Sequence, residues 1–341
     1  MKKIIIAALF SAPLLAAAAS TLSTHLRTDG KEVQAAFASA ADSAKKCTVQ
    51  VYNGAKFVGL GTVVSEDGLV LAKNSEFSTV REGQLRIMGP GRRIARARIL
   101  ARDIPHDLVI LDLGRKVELG YEWGDTKDLS LGTWLVSGAT GSITGPKVRG
   151  GVLAAKSRTI KKSGGVIGVI LGGRDGEENG GVQVTEVAKD GPAFKAGLKK
   201  NDIIFAIDGK EVFEREKMIE IVKSNDPGTV ITVSLKRGNE ELDVDITLGY
   251  RNIVFADMKS RNDKMSGKFS VRRTGFQTVL QHDITLGPSD MGGPLFDLKG
   301  RLVGINIAKA NRVEFFAIPV EAIKKVLKEK ASEIAKARGL E

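Results

Sequence analysis

Short runs of alternating apolar and polar residues, separated by turns that contain Gly, Pro or Asn, dominate two stretches of the chain. The first stretch runs from residue 48 to residue 160, and the pattern returns from residue 276 to residue 318. Alternation with a period of two places every second side chain on one face of a strand. Many short strands between tight turns are typical of an antiparallel barrel or sandwich. We therefore expect a mainly β fold.

The stretch between these two regions has a different pattern. An apolar strand at Val166–Leu171 leads into an acidic, glycine-rich loop and a second strand. A short helix, a strand at Ile203–Ile207, an amphipathic helix at Glu214–Ser224 and two further strands complete it. At about 85 residues, this stretch has the size of a small independent module.

The two ends of the chain carry helical patterns. Two lysines precede an apolar run, Ile4–Leu15, and then a run of alanines, which is the pattern of a secretory signal peptide. We therefore expect residues 1–19 to be cleaved and the mature protein to be exported, to the periplasm or the extracellular space. Residues 20–47 are expected to form an N-terminal helical segment and residues 320–341 a C-terminal helix. No later segment is long and apolar enough to span a membrane.

The charge of the chain is strongly positive, at +12, with basic clusters at residues 86–102 and 251–273. Such clusters attract polyanions, so a basic envelope scaffold is one hypothesis for the function. Aromatic residues make up only 5% of the chain and do not alternate with the arginines. Stacking on single-stranded nucleic acid is therefore not indicated, and nucleic acid is not an expected partner.

Several motifs in the two β regions together resemble one protease family. The run Gly287–Leu295 (GPSDMGGPL) has the shape of the turn that presents the nucleophile in trypsin-like serine proteases. Three further motifs support it, at Gly61–Gly68, Asp107–Leu111 and Phe316–Pro319. In this order they resemble the HtrA family, whose members combine a trypsin-like protease domain with a PDZ domain.

The resemblance implies a trypsin-like double β-barrel. Its first barrel is expected at residues 48–128, its second barrel at 129–160 and 251–319, and the PDZ domain at 161–250. In the family the PDZ domain follows the protease, whereas here it lies between strands of the second barrel. We therefore expect an inserted PDZ domain, which a surface loop accommodates when the ends of the module are close together. The resemblance also implies a homo-oligomer.

Two of the three positions of the catalytic triad are degenerate. Acyl transfer in this fold needs a hydroxyl, an imidazole that takes its proton and a carboxylate that orients the imidazole. The family pattern places the carboxylate at Asp107, but Ser75 at the histidine position and Met291 at the serine position. A thioether has no proton to lose and no useful nucleophilicity toward an amide. Backbone amides of Ser289, Asp290 and Met291 are expected to form an oxyanion-like turn, which alone supports only a residual rate.

A rearranged active site is the alternative for this region. Among the three histidines, His282 lies on the strand before the turn, where it could act on Ser289. An active serine endopeptidase would then use an unusual Ser289–His282 pair. No spacing of metal ligands occurs in the chain, so neither a metal nor a cofactor is expected.

The PDZ-like module predicts a peptide-binding groove. In such modules an extended peptide pairs with an edge strand, and amides of a loop hold its terminal carboxylate. The residues expected to bind the peptide are Val166, Ile167, Gly168 and Val169 in the loop and strand, and Ile219 and Val222 on the facing helix. Met218 is expected to point toward the core. The leading hypothesis is an exported HtrA-like pseudoprotease that binds peptides, protein C-termini or unfolded segments.

Overall fold

The computed structural model describes residues 23, 25, 30–77, 80, 83–89, 93–140, 147–172, 180–255 and 267–339. The predicted signal peptide, residues 1–19, lies outside the described residues. Helix α1 (Lys31–Cys47) precedes the first sheet. In the described part of the chain, no helix has the length and apolar character needed to cross a membrane.

The first sheet follows directly on helix α1. Its strands are β1 (Thr48–Asn53), β2 (Lys56–Val63), β3 (Leu69–Lys73), β4 (Leu85–Met88), β5 (Ile94–Arg96), β6 (Arg98–Asp103) and β7 (Leu108–Asp112). They lie in the order β5-β4-β1-β2-β3-β7-β6, and every pairing is antiparallel. Strands β3 and β7, which are neighbours in this order, are buried along their whole length. Their ends carry the residues described below.

Three strands follow that belong to the second sheet. They are β8 (Glu122–Trp123), β9 (Trp134–Ala139) and β10 (Lys147–Ile160). The sequence places residues 48–128 in the first barrel, but β8 pairs with a strand of the second sheet. A two-residue strand has too few side chains for any alternation, so its partner cannot be read from the sequence.

The PDZ region has its own sheet and core. Its strands are β11 (Gly165–Val166), β12 (Val169–Leu171), β13 (Val182–Val187), β14 (Ile203–Ile207), β15 (Lys210–Glu211), β16 (Val230–Arg237), β17 (Glu240–Thr247) and β18 (Gly249–Tyr250), with helices α2 (Pro192–Lys195) and α3 (Arg215–Ser224). The main sheet has the order β12-β13-β14-β16-β17. Strand β12 lies at its edge, and α3 packs Met218 and Val222 into the core below it.

The remaining elements complete the second barrel and the C-terminus. They are α4 (Arg251–Val254), β19 (Phe276–His282), β20 (Pro294–Asp297), β21 (Arg301–Lys309), β22 (Phe315–Pro319), α5 (Val320–Glu329) and α6 (Ala331–Arg338). The sheet order is β20-β9-β10-β19-β22-β21-β8, and an additional pairing of β20 with β21 closes it into a barrel. The predicted C-terminal helix is thus two helices, which meet at Lys330.

The position of the PDZ region follows from one strand pairing. Strand β10 pairs antiparallel with β19, although more than a hundred residues separate them in sequence. The residues between them, including β11–β18, therefore form an insertion that begins at the end of β10 and returns to the second barrel at the start of β19. The predicted mainly β fold, with a trypsin-like pair of barrels and a PDZ domain inserted in the second barrel, is confirmed.

Candidate functional site

The carboxylate of Asp107 is the centre of a buried polar cluster. Asp107 lies in the turn between β6 and β7, where its backbone adopts a φ of +59°. Ser75 lies in a single 3-10 turn, Asn74–Phe77, directly after β3. The Ser75 amide donates to Asp107 Oδ1 at 2.7 Å and its hydroxyl donates to Oδ2 at 3.0 Å. The structure therefore brings together the two residues that the family pattern places at the histidine and aspartate positions.

A lysine that the sequence analysis did not single out occupies the other side of this carboxylate. Lys73, the last residue of β3, forms an ion pair with Asp107 Oδ2, and both side chains are 1% exposed. Its ammonium also donates to the carbonyl oxygen of Arg272 at 3.0 Å. An ammonium has no lone pair with which to accept a proton. Lys73 therefore neutralises Asp107 but does not replace the missing imidazole.

Two further groups respond to this buried charge. Burial raises the pKa of the Glu76 carboxyl above its ordinary value; the Lys73 ammonium opposes this rise, and the Asp107 carboxylate adds to it. Burial also raises the pKa of the Tyr250 phenol, and the Asp107 charge adds to that rise. Tyr250 ends the PDZ region, so the cluster lies within electrostatic range of the PDZ domain.

Met291, which the family pattern places at the nucleophile position, belongs to the hydrophobic core. Its side chain is 1% exposed and packs in the core of the second barrel, in a cluster that includes Leu135, Leu153 and Leu295. A buried thioether contributes to this core as a flexible apolar side chain. The position that would present a hydroxyl to a substrate is therefore filled by a packed side chain.

The amides of this turn are engaged within the turn itself. Residues Pro288–Asp290 form a 3-10 turn, in which the Met291 amide donates to the Pro288 carbonyl at 3.3 Å. The Gly293 amide donates to the Asp290 carbonyl at 3.2 Å. An oxyanion hole needs amides that point at the position of the substrate oxygen. The oxyanion-like turn predicted for Ser289, Asp290 and Met291 is therefore not open at Met291.

Three hydrogen bonds, donated by Gly287 and Thr140, hold the turn in this form. The Asp290 carboxylate accepts from the Gly287 amide at 2.6 Å, and from the amide and hydroxyl of Thr140 at 2.5 and 2.6 Å. Gly292 has a φ of +90°, and a Cβ there would lie 2.0 Å from the Leu60 carbonyl oxygen. Only glycine fits this position. The close approach at Gly292 therefore fixes the backbone of the turn that the family pattern predicts to present the nucleophile.

His282 is a structural residue behind the same turn. It is fully buried; the Ile284 amide donates to its Nδ1 at 3.2 Å, and its Nε2 donates to Asn306 Oδ1 at 2.8 Å. Burial lowers the pKa of His282 to about 4, against the opposing effect of the hydrogen bond with Asn306. Both ring nitrogens are occupied and neither contacts Ser289. This geometry speaks against the alternative of a Ser289–His282 pair.

His106 also does not serve Asp107. It lies in the turn before β7 and its Nδ1 is 2.7 Å from Asp103 Oδ1. The Asp103 carboxylate also accepts from the His106 amide at 2.8 Å. The imidazole therefore bonds to Asp103 within its own turn and not to the Asp107 carboxylate.

A second candidate site is a cavity in the PDZ region. Its volume is about 760 Å³, and it lies between the β11–β12 loop, helix α3 and the chain after β18. All six residues predicted to bind a peptide line this cavity: Val166, Ile167, Gly168, Val169, Ile219 and Val222. Met218 borders it but is 1% exposed and packs in the PDZ core. The peptide-binding role of these residues stays a prediction.

One wall of the cavity comes from residues that sequence reasoning did not connect with it. These residues lie in the basic cluster at residues 251–273 or directly after it: Arg251, Phe255, Phe269, Val271, Arg273 and Thr274. Their contacts with the PDZ region are long-range, so no periodicity in the sequence reports them.

The sequence does contain a signal for Lys73 in the Asp107 cluster. This lysine directly follows the apolar run Leu69–Ala72, which could have indicated that it is buried with a counter-charge.

The stretch that forms this wall of the PDZ cavity is attached to the turn that carries Asp107. The Arg272 guanidinium donates to the carbonyl of Ile104, to that of Pro105 at 2.9 Å and to that of Gly275 at 2.7 Å. It also lies 4.9 Å from the centre of the Phe276 ring. Residues 269–274 thus line the PDZ cavity on one side and contact the Asp107 turn on the other.

Among the described residues, no group of three or more His, Cys, Asp or Glu side chains is arranged to hold a metal ion. The candidate site therefore consists of two parts: the polar cluster at Asp107 with the closed turn at Met291, and the PDZ cavity.

Comparisons with known proteins agree with this architecture. A family profile described as "PDZ domain" matches residues 152–248, starting within β10. The serine protease HTRA1 of Xenopus tropicalis is 37% identical over 71 residues, which is 21% of this chain and 15% of that protein. The serine endoprotease DegS of Escherichia coli (strain K12) is 35% identical over 68 residues, which is 20% of this chain and 19% of that protein.

One relative aligns over a longer stretch. A probable periplasmic serine endoprotease, DegP-like, of Bartonella henselae is 21% identical over 311 residues, which cover 69% of this chain and 60% of that protein. Among solved structures, "HtrA-type protease AlgW with decapeptide" is 16% identical, with a TM-score of 0.33, and the match covers 62% of this chain and 98% of that one. The chain spans less than a fifth of the length of the first curated relatives that it matches.

Proposed function

We propose that this chain, which belongs to the HtrA-like proteins and contains a PDZ domain, binds peptides or unfolded protein segments without cleaving them. The observation that carries the proposal is the state of the nucleophile position. Met291 is packed in the core, and the carboxylate that would orient an imidazole is paired with Lys73. In a serine protease of known kinetics, removal of the nucleophile or the base lowers turnover by about 10⁶-fold.

The PDZ cavity supplies the binding function. It joins an edge strand, a facing helix and a glycine-containing loop, the arrangement by which PDZ domains add an extended peptide to a sheet. Gly168 in the loop has a φ of +86°, and a Cβ there would lie 2.7 Å from Val254 Cγ1. The loop is thus built around a glycine, because a side chain at this φ and this close to Val254 would not fit.

An envelope location is part of the proposal. The apolar run near the N-terminus has the pattern of a signal peptide, and a DegP-like relative is described as periplasmic. There the protein would act as an adaptor or holdase for exposed C-termini and unfolded segments. Fractionation of the native host, with detection of the mature chain in the envelope, tests this location.

A covalent probe and a substrate test the absence of proteolysis. The purified chain is incubated with a fluorophosphonate probe and with an unfolded casein, and an active serine protease serves as the positive control. We expect neither labelling nor cleavage. Met291→Ser should remain unlabelled as well, because no imidazole contacts the position that would activate its hydroxyl. Stoichiometric labelling of the wild-type chain would overturn the proposal.

A further inference from the structure

The charged residues around the PDZ cavity all have the same sign. Four cationic side chains line it, and no Asp or Glu is among its described lining residues. The four are Arg215, Lys223, Arg251 and Arg273. Lys223 also borders a shallow depression that Glu216 and Glu220 line, so its charge is partly offset. The three arginines therefore set the potential of the cavity.

Two of these arginines come from outside the region that matches the PDZ profile. Arg251 begins helix α4, and its guanidinium lies 5.7 Å from the centre of the Phe255 ring. Arg273 donates to the Ala310 carbonyl at 2.6 Å and lies 4.9 Å from the centre of the Phe269 ring. These contacts hold the second guanidinium in place, so it loses little freedom when it meets an anion.

The positions of the arginines follow the direction that a bound peptide would take. The Gly165 amide donates to the Asn225 carbonyl at 2.8 Å. The segment Val166–Val169, which would hold the terminal carboxylate of a peptide, therefore begins beside the C-terminal end of α3. Arg215 is the first residue of α3, and a helix of this length spans about 14 Å. An extended chain covers that distance in about four residues. Arg215 therefore stands beside the side chain roughly four residues before the peptide's C-terminus.

The other end of the cavity is also basic. Helix α4 packs against Gly168, because a Cβ placed on that glycine would lie only 2.7 Å from Val254 Cγ1. Arg251 lies one turn before Val254 on this helix and is exposed. A guanidinium at this place favours the terminal carboxylate and acidic residues next to it.

We propose that this composite cavity selects peptides with an apolar C-terminal residue and acidic residues upstream of it. The inference rests on the proposed function and names the class of ligand that the site takes. The apolar floor formed by Ile219 and Val222 receives the last side chain, and the arginines on both sides of the groove receive the upstream carboxylates. The second barrel thus contributes to the specificity of the PDZ domain through Arg251 and Arg273.

Fluorescence anisotropy with three labelled decapeptides tests this inference on the full chain. The first peptide ends in Val and has Glu at the second and fourth positions before it; the second has Gln at those positions. The third has the acidic sequence with an amidated C-terminus. We expect the acidic peptide to bind about tenfold more tightly than the Gln peptide, because each exposed ion pair contributes up to about fivefold. This preference should fall toward unity in 0.5 M NaCl, because salt screens such pairs.

Variants assign the preference to the cavity. Arg215→Gln should lower the affinity for the acidic peptide about threefold and leave that for the Gln peptide unchanged. Arg251→Gln should lower both affinities, because Arg251 also faces the terminal carboxylate, and it should lower that for the acidic peptide more. Lys217→Gln is the matched control, since Lys217 lies on the same helix, is exposed and does not line the cavity. It should change neither affinity.

The outcomes separate the inference from the proposed function. If no peptide binds, the proposed function fails and the inference fails with it. If the acidic and Gln peptides bind equally well, the inference is overturned and the proposed function stands. If the amidated peptide binds as tightly as the free acid, the cavity attracts anions without reading a C-terminus, and the inference is likewise overturned.

Discussion

Lys73 and Asp107 form an ion pair in a place where both charges are removed from water. Their side chains are each 1% exposed, and the hydroxyl and amide of Ser75 complete the set of donors to the carboxylate. Burial of two charges costs free energy that their attraction offsets only when the geometry is good. The loss of one partner leaves an uncompensated charge in the interior, which is far more costly than the loss of both.

A double-mutant cycle measures this coupling. Lys73→Met and Asp107→Asn should each lower the free energy of unfolding by about 3–5 kcal/mol, because each leaves the other charge unpaired. The double variant should recover most of this loss, since the amide oxygen of Asn can still accept from the Ser75 amide. Urea unfolding gives the four free energies.

An exposed pair is the control for this cycle. Lys162 and Asp226 form an ion pair whose side chains are 65% and 55% exposed. Asp226→Asn should change the free energy of unfolding by less than about 1 kcal/mol. Additive effects of Lys73→Met and Asp107→Asn would contradict the coupling.

His282 makes the stability of the second barrel depend on pH. Burial lowers its pKa to about 4 in the folded chain, from 6.5 for an ordinary histidine. The unfolded chain therefore binds a proton at pH values where the folded chain does not. The contribution of neutral His282 to stability is complete above about pH 7 and is lost as the pH falls toward 4.

Denaturation at several pH values tests this contribution. Between pH 7 and pH 5, the free energy of unfolding should fall by about 2 kcal/mol from this group. His282→Gln keeps a hydrogen-bond donor and an acceptor in the pocket. This variant should be less stable than the wild type at pH 7, but its free energy of unfolding should no longer show the pH dependence that His282 contributes. An unchanged slope in that variant would show that His282 does not carry the dependence.

At the scale of elements, the turn before β20 joins the two barrels by hydrogen bonds. The Gly292 amide donates to the Asn306 carbonyl at 2.7 Å, and its own carbonyl accepts from the Thr62 hydroxyl at 2.7 Å. These bonds connect β2 of the first barrel with β20 and β21 of the second. The turn therefore serves as a junction between the barrels.

Two glycine substitutions separate backbone strain from close packing. Gly292 and Gly228 have similar dihedral angles, with φ of +90° and +93°, but a Cβ at Gly292 would lie 2.0 Å from the Leu60 carbonyl oxygen. Nothing lies within 4 Å of a Cβ at Gly228. Gly292→Ala should lower the free energy of unfolding by about 3 kcal/mol or more, and Gly228→Ala by about 1 kcal/mol. Equal losses in the two variants would mean that the backbone around Gly292 can shift to accommodate a methyl group.

At the scale of the whole molecule, the inserted PDZ domain is attached at more than its two ends. Arg272 follows the domain in sequence and donates to backbone carbonyls of Pro105 and Gly275, while its own carbonyl accepts from Lys73. The stretch that carries Arg272 also walls the PDZ cavity. This places the PDZ cavity and the polar cluster at Asp107 on two sides of one short segment.

Removal of the Arg272 side chain tests this attachment. Arg272→Ala should lower the free energy of unfolding by about 2–4 kcal/mol, because several charge-assisted hydrogen bonds to carbonyls are lost. Arg312→Ala, at an exposed position on the β21–β22 turn, is the control and should stay within about 0.5 kcal/mol. A change of similar size in both variants would exclude a structural role for Arg272. Chemical denaturation measures both.

Much of the fold could be read from the sequence because it depends on local patterns. Alternation predicts strands at Val58–Val64, Thr133–Ala139 and Val148–Ile160, which agree with β2, β9 and β10 to within two residues. The glycine-rich loop and the amphipathic helix indicate the PDZ domain. The short strand β8 and the break at Lys330 between α5 and α6 were missed, since neither interrupts a local pattern. The positions of Asp107, Ser75 and Met291 were available from the motifs that surround them.

The chemistry at each of these positions was determined by the sequence alone, because a methionine and a serine cannot supply a nucleophile and a base in these places. What surrounds them was decided only by the tertiary structure. The ion pair of Lys73 with Asp107, the packing of Met291 and the arginine wall of the PDZ cavity all join residues far apart in the chain. Such contacts depend on which surfaces the folded barrels bring together, and no local periodicity encodes them.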